Sequence, residues 1–392
     1  MEAPLIGYQT SENHICVVFG GRSSEHEISL RSALFVLKSL PTTYRIIPTG
    51  IQRTGEIWTP EGSFLSTDFQ DWTTQNLELL CKGQNPFGSA RRTAVEPSVF
   101  LPFPLAVCQE LPVQGIRVLN LESQTVFPVL HGPNGEDGHF QGLMELAEMA
   151  LVGCDIRASV IGIDKHIAKR LAKDAGVPVN DYCVVQEEEW QESSALVLQR
   201  LEKRFGFPCF VKPNALGSAV GVGKCHTSNQ LEEKITQAFQ YDTCVMVEEM
   251  MHGTEVEVAF LGTPTHPSVT LAGEIAPKDF YDYDSKYTND DGAAQFIPAR
   301  LGAPEMQKVR EYAVTLSQAF GLRGLCRIDF WYNAATKAFV FNEINTLPGL
   351  TSISMFPKLW EQQGVLGPQW THEVIVQAKA YRRLKSRKSF QH

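Results

Sequence analysis

The chain is long, mildly acidic and balanced in composition. Its 392 residues exceed one ordinary domain and predict two or three. Hydrophobic residues make up 43% and charged residues 20%, which is typical of a soluble globular protein with a sizeable core. With 35 basic and 44 acidic residues, the net charge of −9 argues against a nucleic acid as the partner.

Targeting signals and cysteine spacing give a similar picture. No apolar run reaches the roughly 20 residues that a membrane span needs. The first residues lack the basic start and the apolar stretch of a signal peptide. The nine cysteines contain no C-x-x-C pair, so neither a zinc ribbon nor a disulfide framework is predicted. We therefore expect a cytoplasmic protein with reduced thiols and no membrane partner.

The first elements predict a doubly wound sheet. An apolar run at residues 15–19 ends at Gly20-Gly21, which indicates a buried strand. A helical pattern follows, with Leu30, Leu34 and Leu37 on one face. A strand, a glycine turn and a helix in succession are typical of the opening unit of such a sheet.

Further strands and helices alternate along the chain. Strands are predicted at residues 126–130, 182–186, 207–211, 244–249 and 255–261, and a hairpin at 326–332 with 338–342. Helices are predicted at 162–176, 187–206 and 305–320. Residues 52–110 have weak periodicity and predict hairpins and loops, without assigned chemistry. The polar and aromatic stretch 280–291 predicts a loop.

A glycine-rich segment follows the strand that ends near Lys212. Residues 213–223 contain Gly217, Gly221 and Gly223, so their backbone N–H groups could close over a polyphosphate. The lysine would add a point charge on the phosphates. The chain has no P-loop, dinucleotide fingerprint, H-E-x-x-H or G-x-S-x-G motif, so phosphate must be held by such other means. A simple turn is an equally open interpretation.

The predicted hairpin carries an oxygen-rich group of side chains. The period of two places Arg327 and Asp329 on one face of the first strand, and it places Glu343 and Asn345 on one face of the second. Two carboxylates and a carboxamide on one face suit Mg²⁺ bound to phosphates. The alternative is a solvent-facing strand pair in which Arg327 serves as an ion-pair partner.

Two loops could add to a site. The turn at 346–352 can aim the Gly349 N–H at the same place, as an oxyanion donor does. Residues 131–138 follow a strand end, where open α/β sheets bind ligands. Spacing alone favours an acidic turn that caps a helix beginning near Phe140.

Taken in order, several motifs resemble those of the ATP-grasp enzymes, and within them the D-alanine–D-alanine ligases. The matching segments are VVFGGRSSEHEISL (17–30), HGPNGEDGHFQG (131–142), GIDKHIAKRLAKDAGVPV (162–179), FVKPNALGSAVGV (210–222), EEMMHGTEVEVAFLG (248–262), FYDYDSKY (280–287), and CRIDF with FNEINTLPGLTS (326–352). The resemblance spans roughly residues 15–365 and covers 52–110 only loosely.

The resemblance implies an α/β (α+β) ATP-grasp fold in three domains. Residues 1–153 would form a Rossmann-like domain with a parallel sheet. Residues 154–251 and 252–392 would form central and C-terminal ATP-grasp subdomains that clamp ATP, the second with the metal and catalytic residues. It also implies a homodimer.

Residue roles are implied by the same resemblance. The ATP-binding residues would be Lys165 and Lys212 on the phosphates, Gly217 and Ala219 in the loop, Glu248 at the adenine amino group and Glu255 at the ribose hydroxyls. Two Mg²⁺ or Mn²⁺ ions would be held by Asp329, Glu343 and Asn345. The catalytic residues would be Glu25, Ser218, Tyr287, Arg327 and Gly349, and the substrate-binding residues His131, Lys286, Ser352 and Ser354.

The implied reaction joins two D-alanine molecules for peptidoglycan synthesis. The first D-alanine would receive the ATP γ-phosphate, giving an acyl phosphate and ADP, and the amine of the second would then displace phosphate. Glu25, Ser218 and Tyr287 would form a triad that closes the site, Arg327 and the Gly349 N–H would stabilise the oxyanion, and the 280–291 loop would exclude water.

The sequence departs from the family pattern at the phosphate loop, where Ala219 replaces a second serine found in many relatives. The hairpin ends in Asn-Thr-Leu-Pro-Gly, a variant also seen in depsipeptide-forming relatives, but the loop carries Lys286-Tyr287 and lacks the histidine of D-lactate-using enzymes. The D-alanine acceptor is therefore favoured. D-lactate or D-serine as the acceptor, or a non-catalytic nucleotide-binding protein, remain the alternatives.

Overall fold

The computed structural model describes residues 13–60, 62–84, 86–87, 95–99, 117–118, 125–217, 220–276 and 294–388. The chain folds as two compact units. The first unit comprises residues 1–155, 349–357 and 364–392, and the second comprises 156–348 and 358–363. The finer division into three domains at 153/154 and 251/252 stays a prediction.

The described residues form helices and strands that alternate in a mixed α/β pattern. The helices are α1 His26–Ser39, α2 Thr74–Cys81, α3 His139–Leu146, α4 Ile156–Ile163, α5 Lys165–Asp174, α6 Glu187–Phe205, α7 Ser228–Ala238, α8 Ala303–Ala319, α9 Met355–Gln362 and α10 Gly367–Ser386. The strands are β1 His14–Gly20, β2 Arg45–Ile51, β3 Ile57–Pro60, β4 Val95–Val99, β5 Arg117–Val118, β6 Thr125–Val129, β7 Ala150–Leu151, β8 Tyr182–Gln186, β9 Cys209–Pro213, β10 Gly223–Cys225, β11 Cys244–Glu249, β12 Thr254–Thr263, β13 His266–Val269, β14 Gly273–Ala276, β15 Ala294–Phe296, β16 Gly324–Asn333 and β17 Ala338–Asn345.

The first unit is built on a seven-stranded sheet in the order β5-β4-β3-β2-β1-β6-β7. Strands β2, β1, β6 and β7 pair in parallel, whereas β3 is antiparallel to both its neighbours. Val17 of β1 and Phe127 of β6 are fully buried, as expected of central parallel strands covered on both faces. The strands predicted at 15–19 and 126–130 are thus confirmed.

Helix α1 covers this sheet, as its sequence pattern predicts. Leu30, Ala33 and Leu37 are buried on its inner face, and Leu34 is only partly buried. Helix α1 contacts β1 and α10, with Phe35 stacked on Trp370 at 6.5 Å between ring centroids. These contacts bury large apolar surfaces, which is the main source of stability for a packed helix.

Residues 52–110 contain more regular structure than the sequence predicts. The expectation of only hairpins and loops is wrong at α2 and at a short 3₁₀-helix over Ser66–Phe69. The backbone N–H of Thr73 donates to Asn76 Oδ1 at the start of α2, and Leu77 and Leu80 are buried. Eight residues give only two turns, too few for a clear helical period.

The second unit contains two antiparallel sheets. One has the order β10-β9-β11-β8, and the other has the order β15-β14-β12-β16-β17, with β13 paired to β12. Strands β11 and β12 follow each other in sequence, as predicted, but they belong to different sheets. The helix predicted at 162–176 is present as α5, but it begins only at Lys165, because Asp164 Oδ1 accepts a hydrogen bond from the Ile167 N–H and caps it. Residues 162 and 163 are the end of α4.

Two further expectations concern the membrane and the thiols. Within the described ranges, no helix is both long and apolar enough to cross a membrane. None of the eight cysteines in these ranges forms a disulfide bond.

Candidate active site

The hairpin of β16 and β17 brings the predicted oxygen-rich group together. Arg327 lies opposite Asn345, and Asp329 lies opposite Glu343. Arg327 donates from Nε to Asp329 Oδ1 at 2.8 Å and from Nη2 to Oδ2 at 2.7 Å, and Asn345 Nδ2 donates to Oδ2 at 2.8 Å. Asp329 is 0% exposed, so the alternative of a solvent-facing strand pair is wrong, although its ion pair is present.

A third strand adds two carboxylates that increase the buried negative charge. Glu257 on β12 lies opposite Asp329, and its Oε2 is 3.1 Å from Arg327 Nε. One carboxylate oxygen each from Glu255, Glu257 and Asp329 lie within 4.8 Å of one another, and all three residues are buried. Buried carboxylates repel each other and are costly unless cations compensate them. Glu257 was not predicted, although its period-two spacing from Glu255 was a signal.

The donor chemistry of the predicted metal ligands on the hairpin fits Mg²⁺ or Mn²⁺. Asp329, Glu343 and Asn345 offer hard oxygen ligands of the kind that these ions prefer. Glu343 Oε2 also lies 3.5 Å from Lys165 Nζ, so a basic side chain compensates the second carboxylate in this structure. The cluster is therefore suited to cations on phosphate.

Lys165, one of the two predicted phosphate-binding lysines, lies beside the glycine-rich loop. Lys165 occupies the first turn of α5, and its Nζ donates to the carbonyl of Leu216, next to Gly217. Asn214 holds this turn, accepting from Lys165 N through its carbonyl at 3.0 Å and from His166 N through Oδ1 at 2.9 Å. Ser218 and Ala219 lie outside the described residues.

Glu248 on β11 is the electrostatic centre of this region. It is 4% exposed, and its carboxylate forms ion pairs with Lys212 and with Lys169, whose Nζ is 3.3 Å from Oε2. Burial favours the neutral acid, but the two lysines outweigh it and lower the pKa of Glu248 to about 2. Glu248 is therefore ionised at neutral pH.

The two lysines respond differently to their surroundings. Burial acts to lower the pKa of Lys212, but Glu248, Glu343 and Glu255 outweigh it and raise that pKa. Burial dominates at Lys169 and lowers its pKa, because Glu248 offsets it only in part. Sequence reasoning missed Lys169, which lies one helical turn after Lys165, as well as its partner Asn180.

In the first unit, Glu25 and His131 meet where the parallel strands end. Ser23 Oγ donates to the His131 carbonyl at 2.7 Å and accepts from the Glu25 N–H at 3.1 Å. A methyl group on Gly132 would lie 2.5 Å from Glu25 Oε2. This is the edge at which open α/β sheets bind ligands. The expected acidic turn is also present, because Asp137 Oδ1 accepts from the backbone N–H of His139 at 3.2 Å where α3 begins.

The turn around Gly349 joins the same cluster. His131 Nε2 lies 3.0 Å from Ser32 Oγ, which also accepts from the Leu350 N–H at 3.2 Å. Ser354 Oγ is 2.7 Å from Thr351 Oγ1, and a methyl group on Gly349 would lie 2.9 Å from Ser354 Oγ. Ser352 is exposed. Lys286 and Tyr287, with the predicted 280–291 loop, lie outside the described residues.

Two family models match this chain, and together they cover most of its length. A family model described as D-ala D-ala ligase N-terminus matches residues 14–154, and one described as D-ala D-ala ligase C-terminus matches 171–376. The chain is 36% identical over 352 residues to a D-alanine–D-alanine ligase of Thermoanaerobacter sp. (strain X514), covering 89% of this chain and 92% of the relative. It is 37% identical over 366 residues to that of Acetivibrio thermocellus, covering 93% and 95%.

Solved structures show the same likeness. The D-alanine–D-alanine ligase from Coxiella burnetii has a TM-score of 0.78 at 28% identity, covering 96% of each chain. The VanG D-Ala:D-Ser ligase from Enterococcus faecalis has a TM-score of 0.77 at 33% identity, covering 94% of this chain and 100% of the other. The ATP-grasp fold expected from the sequence is thereby confirmed.

Proposed function

This chain belongs to the D-alanine–D-alanine ligase family, and from that membership we propose how its residues join two D-alanine molecules with conversion of ATP to ADP and phosphate. It is an ADP-forming ligase of peptidoglycan synthesis. The observation that carries the residue assignments is the Arg327–Asp329–Asn345 cluster on one hairpin, centred on the buried Asp329, because it supplies a cation and metal-type oxygens on one face.

In the first step, a carboxylate oxygen of the first D-alanine attacks the γ-phosphorus of ATP, and the bond from phosphorus to the ADP oxygen breaks. Lys165 and Lys212 neutralise charge on the phosphates, so catalysis here is largely positioning and electrostatics. Asp329, Glu343 and Asn345 would hold two Mg²⁺ or Mn²⁺ ions, which supply further charge neutralisation. Glu248 and Glu255 bind the adenine and the ribose.

In the second step, the neutral amine of the second D-alanine attacks the acyl carbon, and phosphate leaves with its bonding electrons. Arg327 stabilises the oxyanion that forms, and the Gly349 N–H is the second donor. The two carboxylate partners of Arg327, Asp329 and Glu257, hold its guanidinium in place. The amine loses one proton as the peptide bond forms, and the departing phosphate accepts it.

The amino acid substrates are assigned to the first unit. Glu25 receives the ammonium group of the first D-alanine, with His131 beside it, and Ser354 receives the carboxylate of the second. Ser218, Tyr287 and Lys286 keep the roles that family membership implies, in closing the site and binding substrate. A cytoplasmic location, where ATP is available, and a homodimer complete the proposal.

The test is ADP release with ATP, Mg²⁺ and D-alanine, with the product identified by mass. We expect D-alanyl-D-alanine in a one-to-one ratio with ADP. D-serine and D-lactate are offered in parallel, because VanG, one of the similar structures, is named a D-Ala:D-Ser ligase. D-alanyl-D-serine or D-alanyl-D-lactate as the main product would overturn the acceptor assignment. The absence of ADP release would favour a non-catalytic nucleotide-binding protein.

A further inference from the structure

Lys169 is a buried lysine that the proposed reaction does not use. It lies on α5 and is 2% exposed. Its Nζ is 2.5 Å from Asn180 Oδ1 and 3.3 Å from Glu248 Oε2. Asn180 Nδ2 in turn donates to the same Oε2 at 3.2 Å. Three side chains therefore close a ring of polar contacts around one carboxylate oxygen.

The two oxygens of Glu248 have different partners. Oε2 is held by Lys169 and Asn180, whereas Oε1 is paired with Lys212. Lys212 is the more accessible lysine, at 14% side-chain exposure, and it is proposed to bind the phosphates of ATP. Phosphate oxygens that draw Lys212 away would release Oε1 and remove part of the charge that keeps Glu248 ionised. Lys169 would then remain as the lysine in contact with Glu248, at 3.3 Å from Oε2.

We propose that Lys169 is a positioning residue which, directly and through Asn180, holds Glu248 ionised and oriented so that Oε1 accepts a hydrogen bond from the adenine amino group. In this way Lys169 sets the preference for a 6-amino purine over a 6-oxo purine. A carboxylate accepts a hydrogen bond from an amino group but repels a carbonyl oxygen. The discrimination between the two purines therefore depends on the charge and the orientation of Glu248. The proposal rests on the assignment of Glu248 to the adenine.

The experiment compares ATP with inosine triphosphate, which has a carbonyl oxygen in place of the amino group. The full-length Lys169→Met variant is assayed for phosphate release, with KM and kcat measured for each nucleotide. We expect KM for ATP to rise about tenfold, the kcat/KM preference for ATP to fall about tenfold, and kcat at saturating ATP to change less than about threefold. Lys173→Met makes the same change at an exposed site on α5 and should retain wild-type values.

Two more variants separate the possible outcomes. Asn180→Ala keeps the lysine but removes the bridge, and should lower the preference for ATP by a smaller factor; it decides the matter if Lys169→Met does not fold. Glu248→Gln should abolish most of the preference. If Glu248→Gln does so while Lys169→Met and Asn180→Ala leave the preference unchanged, the positioning role is overturned and the ligase function stands. If Glu248→Gln leaves the preference unchanged, the adenine assignment falls and this inference with it.

Discussion

Asp329 and Glu343 lie directly opposite each other on the antiparallel strands β16 and β17, and each carboxylate has a basic side chain beside it. Arg327 forms two hydrogen bonds with Asp329, and Lys165 Nζ is 3.5 Å from Glu343. Two ionised carboxylates at directly paired positions repel each other unless positive charge lies between or beside them. The pair is thus prepared for cations, and its charge can be removed without changing its size.

Asp329→Asn and Glu343→Gln should each lower kcat at least about a hundredfold while the fold is retained. Each change removes a negative charge from the predicted metal site but preserves side-chain volume. Turnover is measured as ADP release over a range of Mg²⁺ concentrations, and folding by circular dichroism. Glu361→Gln, at an exposed position of α9, is the matched control. Near-normal turnover in either variant at low Mg²⁺ would remove the metal assignment.

Glu257→Gln should lower kcat about tenfold, because Arg327 loses one of its two charged partners. If Glu257 acts through the guanidinium, the same change should lower kcat only slightly in an Arg327→Lys background, because lysine has no planar guanidinium for Glu257 to orient. The measurement is a double-mutant cycle in kcat.

The chain offers a matched control for this cycle. Glu274 on the neighbouring strand β14 is also buried and paired with an arginine, Arg300. Glu274→Gln should therefore reduce stability similarly and leave kcat close to that of the wild type. Additive effects of Glu257→Gln and Arg327→Lys would show that Glu257 acts independently of Arg327.

The charge of Glu248 should make stability depend on acid pH. Its pKa falls from the ordinary 4.5 to about 2 on folding, so the unfolded chain takes up the proton first as the pH drops. The stabilisation is therefore present above about pH 4.5 and is lost as the pH falls towards 2, with a total on the order of 3 kcal/mol. Glu248→Gln should show a flatter dependence of the unfolding free energy on pH in this window, measured by urea denaturation. Parallel curves for the two proteins would contradict the shift.

Local patterns predicted the parts of this molecule in which neighbours in sequence are neighbours in space. Strand β1 and the β16–β17 hairpin were found because apolar runs and a short connection determine both pairing and face. Glu257 was missed because its proximity to Arg327 depends on the β12–β16 pairing, which spacing along the chain does not reveal. The same holds for Asn180 and Glu248, which are 68 residues apart and belong to one polar ring only after folding.

Helix boundaries were less predictable for a different reason. The apolar pattern continues through Asp164, so the end of α4 and the start of α5 are set by a side-chain cap that the hydrophobic period does not register. Helix α2 is too short for its period to stand out. Local hydrogen bonding, rather than hydrophobic spacing, decided the structure at both places.

Gly132 provides a direct test of the proposed first D-alanine site. Its φ is +76°, and a methyl group there would lie 2.5 Å from Glu25 Oε2. Gly132→Ala should therefore push the carboxylate away from its position and raise KM for the first D-alanine about tenfold, in addition to a backbone cost of about 1 kcal/mol. Gly364→Ala is the matched control, because φ is +79° but no heavy atom beyond its two chain neighbours lies within 4 Å of the added methyl group.

Both glycine variants should lose a similar amount of stability from the backbone term, measured as the shift in Tm, and only Gly132→Ala should change the kinetics for D-alanine. This comparison separates backbone strain, which the two sites share, from displacement of Glu25, which occurs at one of them. Equal D-alanine KM values in the two variants would mean that Glu25 does not bind the first substrate from the position it occupies beside Gly132.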